Sequence, residues 1–392
     1  MSTYFISAAD VLYFRDGREI KPGSEYTASS LFPPSPSTIY GAIRSALLSS
    51  DENTNFNQND FGLSNNELAK VVGKKDTFGS LEIKKFSFGR RNGAEVESLF
   101  KVPNDILKRK KPPTKKDKEI VSTTLMEQEL SKLGISTNLP NVNSLKLNWF
   151  KCEEGSFFEY ESRFLSTKQF ADYLKGSFHN GEKSLFEAMY AMDPLDLFKK
   201  EQRIGITLNY STNTVEEGML FTTPFIRLNA DIGFCVELDK YHLVDKSRLR
   251  LGGDGKLAFA EQVKTSSLME WNSIKQMFTG QTRFKLVLTT AAIFEKGWIP
   301  DGLDSEGIGV INDVNVKMIG ASLGRYQNIG GWDLENHQPK PTKRAVPAGS
   351  VYYFELSGGS SVENLEKIHG KSICQNELKQ QGFGISYIGV YH

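Results

Sequence analysis

Two stretches of the sequence combine residue types that bind anions at a spacing that brings them together. In the first, Ser37, Gly41 and Arg44 follow one another at positions i, i+4 and i+7, which lie on one face of a helix. Such a face presents a hydroxyl, a patch of bare backbone and a guanidinium in a line, near a helix N-terminus that itself favours anions. The face therefore suits a phosphodiester backbone, although a capped amphipathic helix with a solvated face gives the same pattern and is commoner.

The second stretch is a glycine turn between basic residues. Arg250 precedes the turn Gly252-Gly253-Asp254-Gly255, and Lys256 follows it. A turn of this kind brings backbone N–H groups close to a phosphate. Its spacing is not that of a P-loop. It resembles the Gly-Gly-Asp turn of polymerase and cyclase palms, but two-metal chemistry needs paired carboxylates, and Gly255 stands where the second acid would be.

Two further places hold arginines in candidate contact positions. Arg15 and Arg18 flank an Asp-Gly turn signal and could meet an anion, although an arginine pair in a turn is more often solvated. Arg325 lies beside Tyr326 in the glycine-rich stretch 320–332. Aromatic side chains beside arginine suit base stacking, and a packed loop with aromatic anchors is an equal alternative.

The end of the chain and one internal run add weaker signals. Gly382 and Gly384 flank a phenylalanine in a pattern that matches the centre of an RNA-recognition-motif signature, but the next residues do not continue it. Residues 108–118, KRKKPPTKKDK, form the densest basic run, which two prolines interrupt. A solvated loop is favoured there over an RNA-contacting arm.

The helix that carries Ser37 and Arg44 has clear start signals. The prolines of FPPSP favour extended backbone as far as Ser35. Ser35 suits the N-cap and Pro36 suits the first helical position. The apolar residues then recur at helical spacing on one face, at Ile39, Ile43, Ala46 and Leu47.

The glycine turn lies among alternating patterns that are typical of strands. They predict a β-hairpin over 203–228 whose polar edge carries Arg203 and Arg227. Further strands are predicted at 81–88, 284–288, 314–324 and 351–356, and residues 231–238 open the predicted second half of the chain. A short helix is predicted at 166–176.

The composition limits the class of protein. The chain has 392 residues, 48 Lys and Arg against 47 Asp and Glu, and therefore no global basic excess, so nucleic-acid binding would depend on local clusters. Its three cysteines and five histidines are scattered without metal-ligand spacing, and we expect no metal or other cofactor. No basic segment with a long apolar run opens the chain and no stretch is apolar enough to span a bilayer, so we expect a cytoplasmic protein without signal peptide or membrane contact.

Several motifs occur in a characteristic order: RDGR, FPPSPSTIYGAIRSALL, RIGITLN with TVEEGMLF, RLGGDGKLAF, VPAGSVYYFEL and the terminal GFG-x4-G. In this order they resemble the RAMP-superfamily subunit of type III-B (Cmr) CRISPR complexes that holds the 5′ tag of the crRNA. The resemblance implies an α+β fold of two ferredoxin-like (RNA-recognition-motif-type) domains, at 1–228 and 229–392. Residues at about 50–78 and 101–200 match poorly and are expected to be variable insertions.

The resemblance also implies a set of partners. These are the crRNA 5′ tag, the large palm-domain subunit and the backbone RAMP subunit that cleaves target RNA, while the chain itself is not expected to cut RNA. The residue patterns and the resemblance together give these candidate RNA contacts: Arg15, Arg18, Ser37, Gly41, Arg44, Arg250, Gly252, Gly253, Lys256, Arg325, Gly382 and Gly384.

Two other classes of function were weighed. A metal-independent RAMP endoribonuclease that processes crRNA needs a general base, and His242, ten positions before the glycine turn, is the histidine nearest a family-like motif. An unrelated metabolic enzyme would need a nucleotide motif, a metal cluster or a catalytic triad, and the sequence shows none of these patterns. The RNA-binding scaffold is therefore the preferred hypothesis.

Overall fold

The fold is known from a computed structural model. It describes residues 1–15, 30–50, 67–74, 77–109, 120–125, 145–146, 148–149, 158–176, 192–209, 211–212, 214–239, 243, 246–265, 270–333, 336 and 338–391.

Helices are few and mostly short. They are α1 (Pro36–Ser50), α2 (Glu67–Val72), α3 (Thr167–Leu174), α4 (Pro194–Leu197), α5 (Trp271–Lys275) and α6 (Asn376–Gln380), with a 3₁₀ helix at Val362–Lys367. The longest, α1, begins at Pro36 as predicted, and its predicted apolar face is buried, with Ile39 and Ile43 at most 1 % exposed. Among the described helices, none is both long and apolar enough to cross a bilayer.

Strands make up most of the regular secondary structure of the described residues. In chain order they are β1 (Ser2–Ala8), β2 (Val11–Leu12), β3 (Ile83–Asn92), β4 (Glu95–Lys101), β5 (Ile106–Arg109), β6 (Ile120–Ser122), β7 (Thr124–Leu125), β8 (Asn148–Trp149), β9 (Phe158–Tyr160), β10 (Phe164–Ser166), β11 (Phe198–Asn209), β12 (Thr214–Leu228), β13 (Ile232–Leu238), β14 (Ser247–Arg250), β15 (Leu257–Gln262), β16 (Arg283–Leu288), β17 (Ile308–Ile311), β18 (Val314–Ser322), β19 (Gln327–Ile329), β20 (Trp332–Asp333), β21 (Gln338–Pro339), β22 (Lys343–Ala345), β23 (Val351–Leu356), β24 (Lys371–Ser372) and β25 (Ile385–Val390). The fold is therefore a mixed α/β fold built mainly from antiparallel sheets.

The first large sheet is antiparallel, with the strand order β10-β4-β3-β13-β1-β15-β14. The chain leaves β1, passes through α1 and returns as β3, and β13 later fills the gap between these two strands. The apolar residues of α1 and of one sheet face, such as Ile6 and Phe234, form one core. The predicted domain boundary at 228/229 cuts through this sheet, because β13 and β15 follow the boundary and pair with β1 on its two sides.

The second large sheet has the order β17-β18-β23-β16-β25-β24 and is also antiparallel. Its core is completed by a helix from the first half of the chain. Phe170, Tyr173 and Leu174 of α3 are buried with the apolar residues of this sheet, and the helix itself confirms the one predicted at 166–176. Part of the segment 101–200, which the sequence suggested was a variable insertion, thus belongs to the core that joins the two sheets.

A buried polar cluster lies in this joint. Lys285 Nζ is 3.2 Å from Asp105 Oδ2, and both side chains are at most 2 % exposed. The Tyr173 hydroxyl donates to the same carboxylate at 2.7 Å and the Tyr353 hydroxyl at 3.3 Å. Burial and the charge of Asp105 raise the pKa of both tyrosines well above its usual value, so both hydroxyls stay protonated and donate.

Smaller ladders extend from the two sheets. The predicted hairpin is confirmed as β11 and β12, which pair from Phe198↔Leu228 to Asn209↔Thr214, and β12 also pairs with β2. The remaining small ladders have the orders β6-β5-β9, β7-β8, β19-β22 and β20-β21.

Candidate functional site

The glycine turn joins β14 to β15 and packs against the backbone of Tyr13. The Gly253 N–H donates to the Tyr13 carbonyl oxygen at 2.7 Å. Gly252 has a φ of +86°, and a Cβ built on it would lie 2.3 Å from that carbonyl oxygen. A side chain at residue 252 would therefore prevent this close approach. The turn holds Lys256 near residues 13–15, and the Gly253 N–H is used within the chain.

An aromatic pair holds two cations beside the turn. The ammonium of Lys256 and the guanidinium of Arg203 lie 4.8 Å and 5.1 Å from the ring centroid of Phe225. Tyr13 packs against the same ring, with the two centroids 5.5 Å apart. Both rings are buried. Their attraction for cations fixes Lys256 at the surface next to the turn.

Lys256 and Arg203 differ in whether they have acidic partners. Arg203 pairs with Glu201 at 2.7 Å, and Arg227 pairs with Glu201 and Asp10, each at 2.7 Å. Hydrogen bonds from Arg227 lower the pKa of Asp10 and Glu201 below its usual value. Within the described residues Lys256 has no carboxylate partner. Its charge is therefore available to another molecule.

The edge of the first sheet continues this basic and aromatic character. Arg248 lies opposite Phe259, and Arg250 lies opposite Leu257, in the register of β14 with β15. All four side chains are exposed, and Phe259 is 39 % exposed although it is a large aromatic residue. The intervening Leu249 is buried, on the side of β14 that α1 covers. In the part of the chain that the structure describes, neither arginine forms an ion pair.

We call Arg248, Arg250, Lys256 and Phe259, together with the buried Phe225 ring beneath Lys256, the glycine-turn surface. Sequence reasoning selected Arg250 and Lys256 but missed both phenylalanines. The available signal for Phe259 was the alternation of β15, which places Leu257 and Phe259 on one side of the strand. For Phe225 no sequence signal pointed to the turn, because the contact joins residues 31 positions apart.

The predicted arginine turn is partly described. Arg15 is half-buried and forms an isolated backbone bridge with Ser30. It follows Tyr13, whose carbonyl oxygen accepts from the Gly253 N–H, by two positions in the chain. Arg18 lies outside the described residues.

On α1, Ser37 and Gly41 occupy different environments. The Ser37 hydroxyl lies 2.7 Å from the Ser35 hydroxyl at the start of the helix. Gly41 is half-exposed, and apart from its own helix no atom lies within 4 Å of a Cβ built on it. Glycine inside a helix costs about 0.5–1 kcal/mol relative to alanine. No contact within the described chain requires this glycine.

Arg44 is bound by the chain itself. Its guanidinium donates to the backbone carbonyl oxygens of Lys74 and Thr77, and it lies 6.0 Å from the ring centroid of Phe78. Burial lowers the pKa of Arg44 from its usual value. The residue thus fastens α1 to the loop between α2 and β3, and only part of its side chain is exposed.

The remaining predicted residues are distributed over other parts of the fold. Gly382 and Gly384 are buried, and a Cβ built on them would lie 2.9 Å from Ile83 and 2.6 Å from Cys374 Sγ. Gly382 therefore lies at a contact between the two sheets, whereas Gly384 packs against the segment before α6. Arg325 is exposed and follows β18 of the second sheet by three residues.

Two earlier predictions fall outside the described residues. His242, the general base of the endoribonuclease hypothesis, lies there, as do residues 110–118 of the basic run. Among the described residues there is no group of three or more His, Cys, Asp or Glu side chains that could hold a metal ion.

Comparison with protein families gives one match over nearly the whole chain. The profile described as "CRISPR-associated protein (Cas_Cmr3)" matches residues 4–391. A curated relative, the "CRISPR system CMR subunit Cmr3" of Saccharolobus solfataricus, is 22 % identical over 183 residues, which cover 45 % of this chain and 52 % of the relative. The chain thus spans about half the length of the curated relative that it matches.

Solved structures give a more distant match. A chain of the "Type III-B Cmr-beta bound to cognate target RNA and AMPPnP, state 1" is 16 % identical, with a TM-score of 0.48 and coverage of 90 % of this chain and 86 % of that chain. A chain of the "Csm3-Csm4 subcomplex in the type III-A CRISPR-Cas interference complex" is 13 % identical, with a TM-score of 0.38 and coverage of 91 % and 94 %. At these identities and scores, the family assignment depends on the sequence match.

Proposed function

Because the chain belongs to the Cas_Cmr3 family of CRISPR-associated proteins, a RAMP-like subunit of the type III-B Cmr system, we propose that it is the non-catalytic subunit that binds the 5′ tag of the crRNA. The glycine-turn surface is the tag-binding site in this proposal. The large palm-domain subunit and the backbone RAMP subunit are its neighbours in the complex, which assembles in the cytoplasm.

The strand orders support two ferredoxin-like domains. In the first sheet, the strands β3-β13-β1-β15 have the spatial order of second, third, first and fourth strand in the chain, with α1 in the crossover. The strands β18-β23-β16-β25 repeat this order in the second sheet. We place the boundary between the two domains after Gln262, where the last of these four strands of the first sheet ends.

The observation that carries the proposal is the unpaired charge of the glycine-turn surface. Arg248, Arg250 and Lys256 have no carboxylate partner among the described residues, in a chain whose formal net charge is only +1. Phe259 lies opposite Arg248 with a partly exposed ring. Cations for phosphates and an aromatic face for a base are the two components of single-strand RNA recognition.

Gly41 supports a second contact on the adjacent helix. Because no described residue packs closely enough against this position to need glycine, the missing side chain suits the close approach of another molecule to the α1 backbone. The helix α1 packs against β14, which carries Arg248 and Arg250. The helix covers the side of β14 opposite to these arginines, and β14 is the edge strand of the first sheet, so an RNA strand that contacts both would pass around this edge.

The β11–β12 hairpin supplies the contact with a neighbouring subunit. Ile204 and Ile206 lie on one side of β11 and are 70 % and 49 % exposed; beyond a register shift, Leu208 and Val215 lie opposite each other and are 45 % and 55 % exposed. A row of exposed aliphatic side chains of this kind marks a protein interface. We assign it to the backbone RAMP subunit, and loss of co-purification with that subunit in an Ile204→Ser, Ile206→Ser double variant tests the assignment.

The test of the proposed function uses a crRNA with its 5′ tag and the same RNA without the tag. We expect the protein to bind the tagged RNA more tightly, and Lys256→Glu to weaken that binding about ten- to a hundredfold, since a charged hydrogen bond contributes about 1.5–3 kcal/mol. The slope of log K against log salt should become shallower by about 0.7, the value for one phosphate of a single strand.

Lys371→Glu is the matched control, because Lys371 is an exposed lysine on β24 of the second sheet. It should bind the tagged RNA like the parent protein. Equal affinity and equal salt slope for Lys256→Glu and the parent protein would contradict the proposal. Cleavage of the RNA in the presence of EDTA would favour the endoribonuclease instead.

A further inference from the structure

The short ladder formed by β19 and β22 has a clear division between an inner and an outer side. In its register Gln327 lies opposite Ala345 and Asn328 lies opposite Arg344. Because side chains alternate along a strand, Gln327, Ile329, Lys343 and Ala345 belong to the inner side; Ile329 and Ala345 are buried there, Gln327 is half-buried and Lys343 reaches the solvent. The outer side consists of Tyr326, Asn328, Thr342 and Arg344, and all four are exposed. It contains no aliphatic and no acidic residue.

An aromatic–guanidinium pair lies on this outer side. The guanidinium of Arg344 is 5.0 Å from the ring centroid of Tyr326, and Tyr326 remains 50 % exposed. A buried anchor does not explain this tyrosine, because half of its surface is open to solvent. The pair presents a flat, positively charged platform, which is the arrangement on which nucleobases stack. The Asn328 amide beside it can donate to and accept from a base edge.

The charges around the ladder favour an anionic ligand. Residues 325–344 contain four Lys and Arg residues against Asp333 and Glu335. Among the described residues, none of these four cations forms an ion pair. An acidic protein surface would also suit cations, but it would not need an open tyrosine ring beside an amide. The combination favours a single-stranded nucleic acid over a protein.

The ladder is held rigidly by the fold. Ala292 and Val346 exchange backbone hydrogen bonds of 2.9 Å and 2.7 Å directly after β22. On the other side, the Tyr160 hydroxyl of β9 donates to the Leu323 carbonyl oxygen at 3.1 Å, three residues before Tyr326. Such anchoring lowers the entropic cost of ordering a binding platform when a ligand arrives.

The ladder is distinct from the glycine-turn surface. The segment before the ladder adjoins residue 104, which follows β4. The Ser322 hydroxyl donates to the Asn104 carbonyl oxygen at 2.8 Å. The Gly324 N–H and the Asn104 side chain both donate to Ser350 Oγ. Strand β4 lies five positions from β14 in the first sheet. At about 4.8 Å between neighbouring strands, β4 and β14 are roughly 24 Å apart across the sheet. One nucleotide cannot contact both.

We propose that the outer side of the β19–β22 ladder is a second binding site for single-stranded RNA, in which one base stacks on Tyr326 and the adjoining phosphate contacts Arg344. The site does not depend on the 5′ tag. It takes a nucleotide several positions along the same strand, or a nucleotide of another strand.

The test measures binding of a fluorescent oligouridine without the tag sequence to the full chain, in the absence of other subunits. Tyr326→Ala should weaken this binding about five- to a hundredfold, the range for loss of one base–aromatic stack, without changing the salt slope. Tyr326→Phe keeps the ring and should bind within about twofold of the parent protein. Arg344→Glu should weaken binding and make the salt slope shallower by about 0.7.

Two outcomes would overturn the proposal. If Tyr326→Ala and Arg344→Glu bind oligouridine like the parent protein at every salt concentration, the ladder is not an RNA site. If the same variants instead lose a partner subunit in pull-downs and keep their RNA affinity, the ladder is a protein interface. Lys256→Glu separates this site from the tag site. It should strongly weaken the binding of tagged RNA, whereas Tyr326→Ala should have a much smaller effect on the difference in affinity between tagged and untagged RNA.

Discussion

Lys285 and Lys256 are both lysines beside aromatic rings, but the molecule treats them in opposite ways. Lys285 lies in the joint between the two sheets, is at most 2 % exposed, and meets Asp105, whose carboxylate also accepts the Tyr173 hydroxyl. Lys256 lies at the surface over Phe225, and within the described residues no carboxylate approaches it.

The difference teaches how charge is divided between folding and binding. A buried cation must be paired within the chain, because an unpaired buried charge is strongly destabilising. A surface cation has no such requirement, because water solvates it in the free protein until a partner binds. The cluster around Lys285 should therefore determine stability, and the glycine-turn surface should determine RNA affinity.

The largest expected effect is on the buried cluster. Lys285→Ala leaves the Asp105 carboxylate buried without its cation, and we expect a loss of about 3–5 kcal/mol in the free energy of unfolding. The midpoint of urea unfolding measures this loss. Lys371→Ala, at an exposed position, should change the free energy by no more than about 0.5 kcal/mol. A similarly small change for Lys285→Ala would contradict the claim that the cluster around Lys285 determines stability.

The next effect should appear in binding and not in stability. Phe259→Ala removes a partly exposed ring from the glycine-turn surface, and we expect tagged crRNA to bind about five- to a hundredfold more weakly. The salt slope should stay unchanged, since no phosphate contact is lost, which separates this variant from Lys256→Glu. A drop in the melting temperature without a change in affinity would show that the ring belongs to the core.

Arg44 is a partly exposed cation that is bound within the chain, so it could contribute both to stability and to RNA binding, and its replacement would sharpen the comparison. Arg44→Ala removes the donors to two backbone carbonyl groups of the α2–β3 loop, so we expect a loss of about 1.5 kcal/mol in the free energy of unfolding. Arg44→Lys keeps the charge but not the planar pair of donors. If both variants keep parental stability and both lose affinity for the tag, Arg44 contacts RNA and does not fasten the loop.

The smallest effect concerns Gly41. Gly41→Ala should raise the free energy of unfolding by about 0.5–1 kcal/mol, because the helix interior favours alanine and the added methyl group meets no atom of another element. The same variant should weaken RNA binding if RNA approaches the α1 backbone. Greater stability with parental affinity would remove Gly41 from the proposed interface.

The sequence predicted those helices and strands whose formation depends on residues that are close together in the chain. The start of α1 at Pro36, the short helix α3 and the β11–β12 hairpin are confirmed, because caps, prolines and alternation act over a few residues. The course of the first sheet was not predictable in this way. Its strand β13 pairs with β1 from more than 220 positions away, and no short pattern encodes that pairing.

The candidate site shows the same limit. Arg250 and Lys256 stand out in the sequence because they flank a glycine turn, but the contact of the turn with Tyr13 joins residues about 240 positions apart. The sequence could not reveal that the Gly253 N–H is used there. Nor could it reveal that Arg44 is bound by the carbonyl groups of a loop 30 positions away.

Cross-linking tests the central claim most directly. A crRNA with 4-thiouridine in its 5′ tag would be assembled with the full set of subunits, irradiated and digested, and the linked peptides identified by mass spectrometry. The account predicts links from the tag to peptides that contain Arg250–Phe259, and loss of these links in Lys256→Glu. Links from the tag only to other subunits, or only to residues of the second sheet, would contradict it.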